Sequence, residues 1–194
     1  MSKRVFIIHG WDGYPGEGWF PWLKQELEYL GFEVFVPQMP KAEEPRINNW
    51  IPAVARAVGQ VDLDTYFVGH SMGCQAIARY AASLPSGSVA GGAVFVAGFF
   101  TSLTGMGDDA VTKDVEREWL TSPLSPDDVK SHINKSVAIF SDNDPFVPLS
   151  NRDYFSNELG SKVIIEKGKH HFSGSEGVME MPVVVQSILD ISAH

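Results

Sequence analysis

The chain has 194 residues, 44% of them hydrophobic and 20% charged. That fits one globular domain over residues 1–194, burying about 70% of its unfolded surface without metal or disulfide staples. The formal net charge of −9 argues against nucleic acid or an anionic membrane as the main partner.

The basic Lys3-Arg4 pair leads into the apolar run Val5-Phe6-Ile7-Ile8, which stops at His9-Gly10. The run is too short for a signal-peptide core and reads as a strand buried on both faces. The loop Trp11-Asp12-Gly13-Tyr14-Pro15-Gly16-Glu17-Gly18 is rich in turn residues and long for a strand–helix connection. Trp22, Leu23, Leu27 and Leu30 fall at helical spacing, so an amphipathic helix is predicted over 20–30, stopped by Gly31. A second strand, Val34–Val36, is closed by Pro37, and Met39 to Pro45 is a rigid, proline-bounded segment. The next helix spans 47–58, with Trp50, Ile51, Val54 and Val58 on one face and Pro52 placed near its start, where proline is tolerated.

The third strand, Thr65–Val68, runs into Gly69-His70-Ser71-Met72-Gly73 and a helix of small residues over 71–84. A fourth strand covers Ala93–Ala97. Residues 101–135 are the least regular; a helix from about Lys113 to Leu120 is expected there, and this segment is the best candidate for a small lid. Val137–Phe140 is the fifth strand, followed by Asp142-Asn143-Asp144-Pro145 and a helix over 149–159 that Gly160 stops. Val163–Ile165 is the sixth, followed by Lys169-His170-His171-Phe172 and a closing helix over 182–191. No run approaches membrane-spanning length. The lone cysteine, Cys74, can close no internal disulfide, which fits the cytoplasm. The alternation predicts an α/β fold: a doubly wound, mostly parallel six-stranded sheet with helices on both faces and functional loops at the carboxyl ends of the strands.

Three such loops carry serine, aspartate and histidine in that chain order, the order of an α/β-hydrolase. Ser71 sits in a Gly-x-Ser-x-Gly turn between strand and helix, where a hydroxyl is pushed into the open. Glycine is wanted on both sides because strand and helix crowd each other. A serine hydroxyl needs a base to attack at neutral pH. His171 is assigned that part, with His170 as its competitor, and Asp144 would hold the imidazole in the right tautomer. The oxyanion would be met by the backbone N–H groups of Met72 and Trp11.

Blander readings exist for each. Ser71 could cap a helix and Asp144 could close a turn. His9 reads as a structural hydrogen-bonder behind the oxyanion loop, His70 as packing or solvent-facing, and Cys74 as a small buried residue. Of Trp11, Trp19 and Trp50, at least one is expected to line the pocket. No His-x-x-x-His or cysteine pair suggests a metal, and no cofactor is expected.

The residues His9-Gly10, Gly18 to Lys24, Gln38-Met39-Pro40 with Pro45-Arg46 and Trp50, Gly69 to Cys74, Asp144 to Pro148, and His171-Phe172 together resemble the α/β-hydrolase-fold serine hydrolases of the retinoblastoma-binding and YdeN-like family. The resemblance runs the length of the chain. It implies a compact, largely lidless hydrolase with a Ser-Asp-His triad. It points to His171, directly before phenylalanine, over His170, and to Asp144 over Asp142. Two departures stand out: His170 occupies a position that is often glycine in this fold, and the Leu-x-Cys-x-Glu segment with which some relatives dock on a pocket protein is absent. No protein partner is therefore assigned.

The reading is a serine hydrolase that cleaves a small-molecule acyl substrate (an ester, thioester or amide) through an acyl-enzyme. The alternatives are an interaction scaffold with little or no catalysis on the same fold, and acyl transfer to an acceptor other than water. Pocket shape is expected to come from residues 11–20, 40–50 and 98–125.

Overall fold

Along the first strand, β1 (Arg4–Ile8), apolar side chains enter two different cores in turn: Val5 and Ile7 one, Phe6 and Ile8 the other. Such a strand needs cover on both faces. The computed structural model describes residues 2–193. After β1 come α1 (Phe20–Tyr29), β2 (Glu33–Phe35), α2 (Ile47–Val58), β3 (Thr65–His70), α3 (Met72–Ala82), β4 (Gly92–Val96), α4 (Ala110–Thr121) and α5 (Pro126–His132). They are followed by β5 (Ser136–Ser141), α6 (Asn151–Asn157), β6 (Lys162–Glu166) and α7 (Pro182–Ser192).

The strands form one sheet in the order β2-β1-β3-β4-β5-β6, every pairing parallel. This is the doubly wound α/β arrangement that the alternation predicts. Phe20, Leu23 and Leu27 of α1 share one core with Val184, Ile188 and Ile191 of α7. Residues of α2 to α6, among them Trp50, Ile77, Trp119, Val129 and Phe155, fill the other. The one leftward step, β1 to β2, crosses on the α1 face and the rightward steps cross on the opposite face, as a uniform crossover hand requires. The chain reverses its direction across the sheet between β1 and β3. Their carboxyl ends therefore open a crevice at the switch point, where open α/β sheets place their ligands. No described helix is long and apolar enough to cross a membrane.

Three local expectations need correction. Pro52 is the sixth residue of α2, inside the helix and not near its start. It leaves the Asn48 carbonyl without an intrahelical donor, and the packing of Trp50, Val54 and Val58 carries the helix past it. In the irregular segment, α4 begins three residues before the expected start, because the Asp109 carboxylate caps it by accepting from the N–H groups of Val111 and Thr112, both at 3.0 Å. The seven-residue α5 went unpredicted: it buries only Val129 and His132, too few to show periodicity, and is set by Ser125 as cap and Pro126 in its first turn.

α4 is pinned to the segment before α2. Trp119 is fully buried, donates its Nε1–H to the Pro45 carbonyl at 2.9 Å and meets Trp50 edge-on at 6.0 Å. Arg46 reaches Asp114 at 2.7 Å and Glu118 at 3.0 Å, and Glu118 accepts from the Ile47 N–H at 3.0 Å. Truncating the indole should leave a cavity and an unpaired carbonyl. Trp119→Ala is expected to lower the unfolding free energy by about 3–5 kcal/mol, read as a lower urea midpoint at unchanged slope.

Candidate active site

A single residue, Ser71, joins β3 to α3, and it does so at φ 53° and ψ −118°. A non-glycine residue at positive φ stores strain of about 1–3 kcal/mol and persists only where its surroundings hold it. The Ser71 N–H is bonded to the Val96 carbonyl on β4 at 2.9 Å, and its own carbonyl accepts from the Cys74 N–H at 3.0 Å. The two flanking glycines are required by space. A Cβ on Gly73 would lie 2.1 Å from the Ile8 carbonyl oxygen, and one on Gly69 would lie 2.8 Å from the backbone of Cys74. The Ser71 side chain makes no capping bond to the helix that follows, so the reading of Ser71 as a helix cap is not what the geometry shows.

The side chain of Asp144, after β5, is almost wholly buried. One carboxylate oxygen accepts from the N–H groups of Phe146 at 2.8 Å and Val147 at 3.0 Å, closing a turn; the other accepts from His171 Nδ1 at 2.9 Å. The turn role and the histidine contact thus use different oxygens of one side chain. The contact assigns the Nδ1–H tautomer to His171 and leaves Nε2 as its acceptor nitrogen. The Phe146 ring meets the imidazole edge-on at 5.2 Å.

His171 and Ser71 line the same cavity, about 490 Å³ in volume. His170 turns the other way, its ring nitrogen 3.2 Å from the Asn143 amide. Among the described residues, the hydrogen bonds of His171 run to Asp144 through the ring and to His70 and Glu176 through the backbone. None reaches the Ser71 hydroxyl, a bond that commonly tightens only when substrate is present.

Gly10, Trp11, Asp12 and Glu17 from the first loop, Glu43 from the second, and Met106 and Thr112 from the third also wall the cavity. Each of the three loops expected to shape the pocket therefore contributes. Of the three tryptophans weighed, Trp11 lines the cavity, while Trp19 and Trp50 are core. Among the described residues the Trp11 and Met72 N–H groups donate to no other protein group. The wall carries three carboxylates and no lysine or arginine. Burial pushes the Glu17 carboxyl up from its ordinary range.

Two further histidines surround this constellation. His9 is fully buried; it donates Nδ1–H to the Gly10 carbonyl at 2.8 Å and accepts the Met39 N–H at Nε2 at 2.9 Å. It is the structural hydrogen-bonder anticipated behind the first loop. Burial pushes its pKa down, against a smaller opposing pull from the backbone bond. His70 packs between Trp19 and Phe20, with ring centroids 5.9 and 6.1 Å away, and donates Nε2–H to the His171 carbonyl at 2.8 Å. Burial, aided by the His171 ring, pushes its pKa down to about 3, although the backbone bond and Asp144 oppose the shift. Cys74 is buried and uncharged, its thiol pushed up by burial.

Sequence reasoning missed Glu176. Its carboxylate accepts from the N–H groups of His171 at 2.9 Å and Ser173 at 3.0 Å and from the Ser173 hydroxyl at 2.8 Å. The available signal was Ser173-x-x-Glu176, a capping box, here on a single 3-10 turn, Gly174–Glu176.

Comparison with known proteins bears on the whole chain. The family model described as "Serine hydrolase" matches residues 5–190. A Bacillus subtilis (strain 168) protein, YdeN, named as a hydrolase, is 30% identical over 188 residues, covering 95% of this chain and 93% of its own. The rat serine hydrolase RBBP9 is 25% identical over 190 residues, covering 97% of this chain and 96% of its own. The crystal structure of the ydeN gene product from B. subtilis superposes with a TM-score of 0.89 at 27% identity, covering 98% of each chain.

The buried neutral histidines carry a pH signature. With the native pKa of His70 near 3 and the unfolded one near 6.5, the unfolded chain binds more protons between those values. Stability is then complete above about pH 6.5 and falls as the pH drops toward 3, by up to about 1.4 kcal/mol per pH unit for this one group. His9 acts in the same direction. Urea midpoints measured from pH 7.5 down to 4.5 should fall steadily, and His70→Phe should flatten the slope.

Proposed function

This chain belongs to the serine hydrolase family, and from that premise we propose that it cleaves a small ester, thioester or amide through an acyl-enzyme built on Ser71, with His171 as base and Asp144 as its orienting partner. The observation that carries this reading is the 2.9 Å contact between Asp144 and His171 Nδ1 beside a cavity that His171 and Ser71 line together. His171 Nε2 would take the proton as the Ser71 oxygen attacks the carbonyl carbon, then deliver it to the leaving group. The oxyanion would be met by the Met72 and Trp11 N–H groups, each worth about 3 kcal/mol of transition-state stabilisation. Water, entering by the same path, would release the acyl group. Product analysis with an added alcohol or amine separates hydrolysis from acyl transfer.

The family is one of enzymes, so the scaffold reading has no observation in its favour. A cytoplasmic setting is supported by the single buried cysteine. The acidic balance of the chain, −9 overall, supports a small-molecule partner over a polyanion.

Two measurements test the proposal. A fluorophosphonate probe should label Ser71, and Ser71→Ala should abolish labelling and cut turnover of an activated ester by about 10⁶-fold, with Asp144→Asn costing about 10⁴-fold. Equal turnover by Ser71→Ala would sink the serine assignment. The second concerns charge. With Asp12, Glu17 and Glu43 on the cavity wall, an ester bearing a carboxylate should show kcat/KM about tenfold or more below its neutral isostere, and Glu17→Gln should narrow the gap.

A further inference from the structure

The proposed chemistry leaves one buried titratable side chain beside the cavity unused, His70. It is the last residue of β3, next to Ser71, and 5% exposed. Its partner explains why it is there. The loop that carries His171 is strained on both sides of that residue: His170 has φ 48° and Phe172 has φ 57°. Non-glycine residues in this region relax unless they are held. The hold is distributed. Asn143 accepts from the His170 N–H at 2.9 Å, Glu176 from the His171 N–H at 2.9 Å, and Trp19 donates to the Phe172 carbonyl at 2.9 Å. The His171 carbonyl itself is held by His70 Nε2 at 2.8 Å. Of these four, only His70 is covalently joined to Ser71.

The choice of residue type follows from charge. When the His171 ring accepts a proton it becomes a cation, and the His70 ring centroid is 5.0 Å from it. A lysine or arginine at this place could also hold the carbonyl, but its charge would oppose that cation. An imidazole kept neutral by burial donates the same bond without that cost. His9 and Asp144 are the other titratable groups acting on the His70 ring, and of these only Asp144 favours a positive charge.

We propose that His70 is a positioning residue: by holding the His171 carbonyl through Nε2–H, it ties the turn bearing Ser71 to the loop bearing His171 and sets the distance across which the proton moves between them. This rests on the reading of Ser71 and His171 as a working pair.

The test uses His70→Phe, which keeps a packed ring and removes the donor, and His70→Gln, whose amide nitrogen reaches close to the Nε2 position. His70→Phe should lower kcat between about tenfold and a hundredfold, with KM within about twofold and fluorophosphonate labelling slowed in parallel. His70→Gln should restore most of both. Amide hydrogen exchange at His171 and Phe172 should quicken in His70→Phe and slow again in His70→Gln. Wild-type kcat in His70→Phe, unchanged exchange, or a folded His70→Gln no better than His70→Phe would overturn the proposal. If His70→Phe does not fold, nuclear magnetic resonance on the native protein decides. A slowly exchanging Nε2 proton on His70 with contacts to the His171 backbone supports the bond, and its absence overturns it. Failure of the hydrolase reading looks different: native Ser71 would resist the probe, while the exchange and resonance readouts would still report on the bond.

Discussion

The constraint on which the site depends is the close approach of the start of α3 to the end of β1. The backbone at Gly73 lies so near the Ile8 carbonyl that no side chain fits between them. That approach sets the start of α3 against the end of β1, and Gly10 and Trp11 of the loop that follows share a cavity wall with Ser71. It also forces β3 to turn into α3 within one residue, which accounts for the unusual backbone at Ser71. The strain at this turn is held by parallel pairing on both sides, β1 on one and β4 on the other, and by the bond from Ser71 to β4.

The polar groups around the crevice divide by burial. His9 and His70 are enclosed, neutral and engaged with backbone, so they act as fixed donors and acceptors. His171 spends one ring nitrogen on Asp144 and keeps the other for the cavity. Asp144 does two jobs because a carboxylate has two oxygens, one closing its own turn and one meeting the histidine. Glu176 and Trp19 hold the histidine loop from its other sides. Almost every restraint on this loop is a single neutral or charge-assisted hydrogen bond, modest alone and effective together.

The outer wall is built from chain that shows the least pattern. Met106 reaches the cavity from the segment leading into α4 and Thr112 from the first turn of α4 itself, and α4 is anchored through Trp119 and the Arg46 cluster to the segment before α2. Two loops far apart in sequence are thereby held as one wall. The acidic lining is a property of the assembled crevice: Asp12 and Glu17 come from the loop after β1 and Glu43 from the loop after β2, and they share no local motif.

Much was legible beforehand because it depends on local periodicity and on residues whose backbone demands are strict. Strand runs such as Val5 to Ile8, the glycines flanking Ser71, and the serine–aspartate–histidine order after the third, fifth and sixth strands announced the sheet, the turn and the three groups that the fold gathers at one edge. Pro52 misled because proline usually marks a helix start, and tertiary packing overrode that preference. The short α5 and the early start of α4 were hidden because each depends on one capping side chain. The resemblance favoured His171 over the adjacent His170, but the bond from Asp144 to its Nδ1, the service of His70 and Glu176 to the histidine loop, and the signs of charge around the cavity were decided only by the tertiary structure. Each turns on where a side chain points after distant strands have paired, and residues such as His70 and Glu176 carry no local signal of that direction.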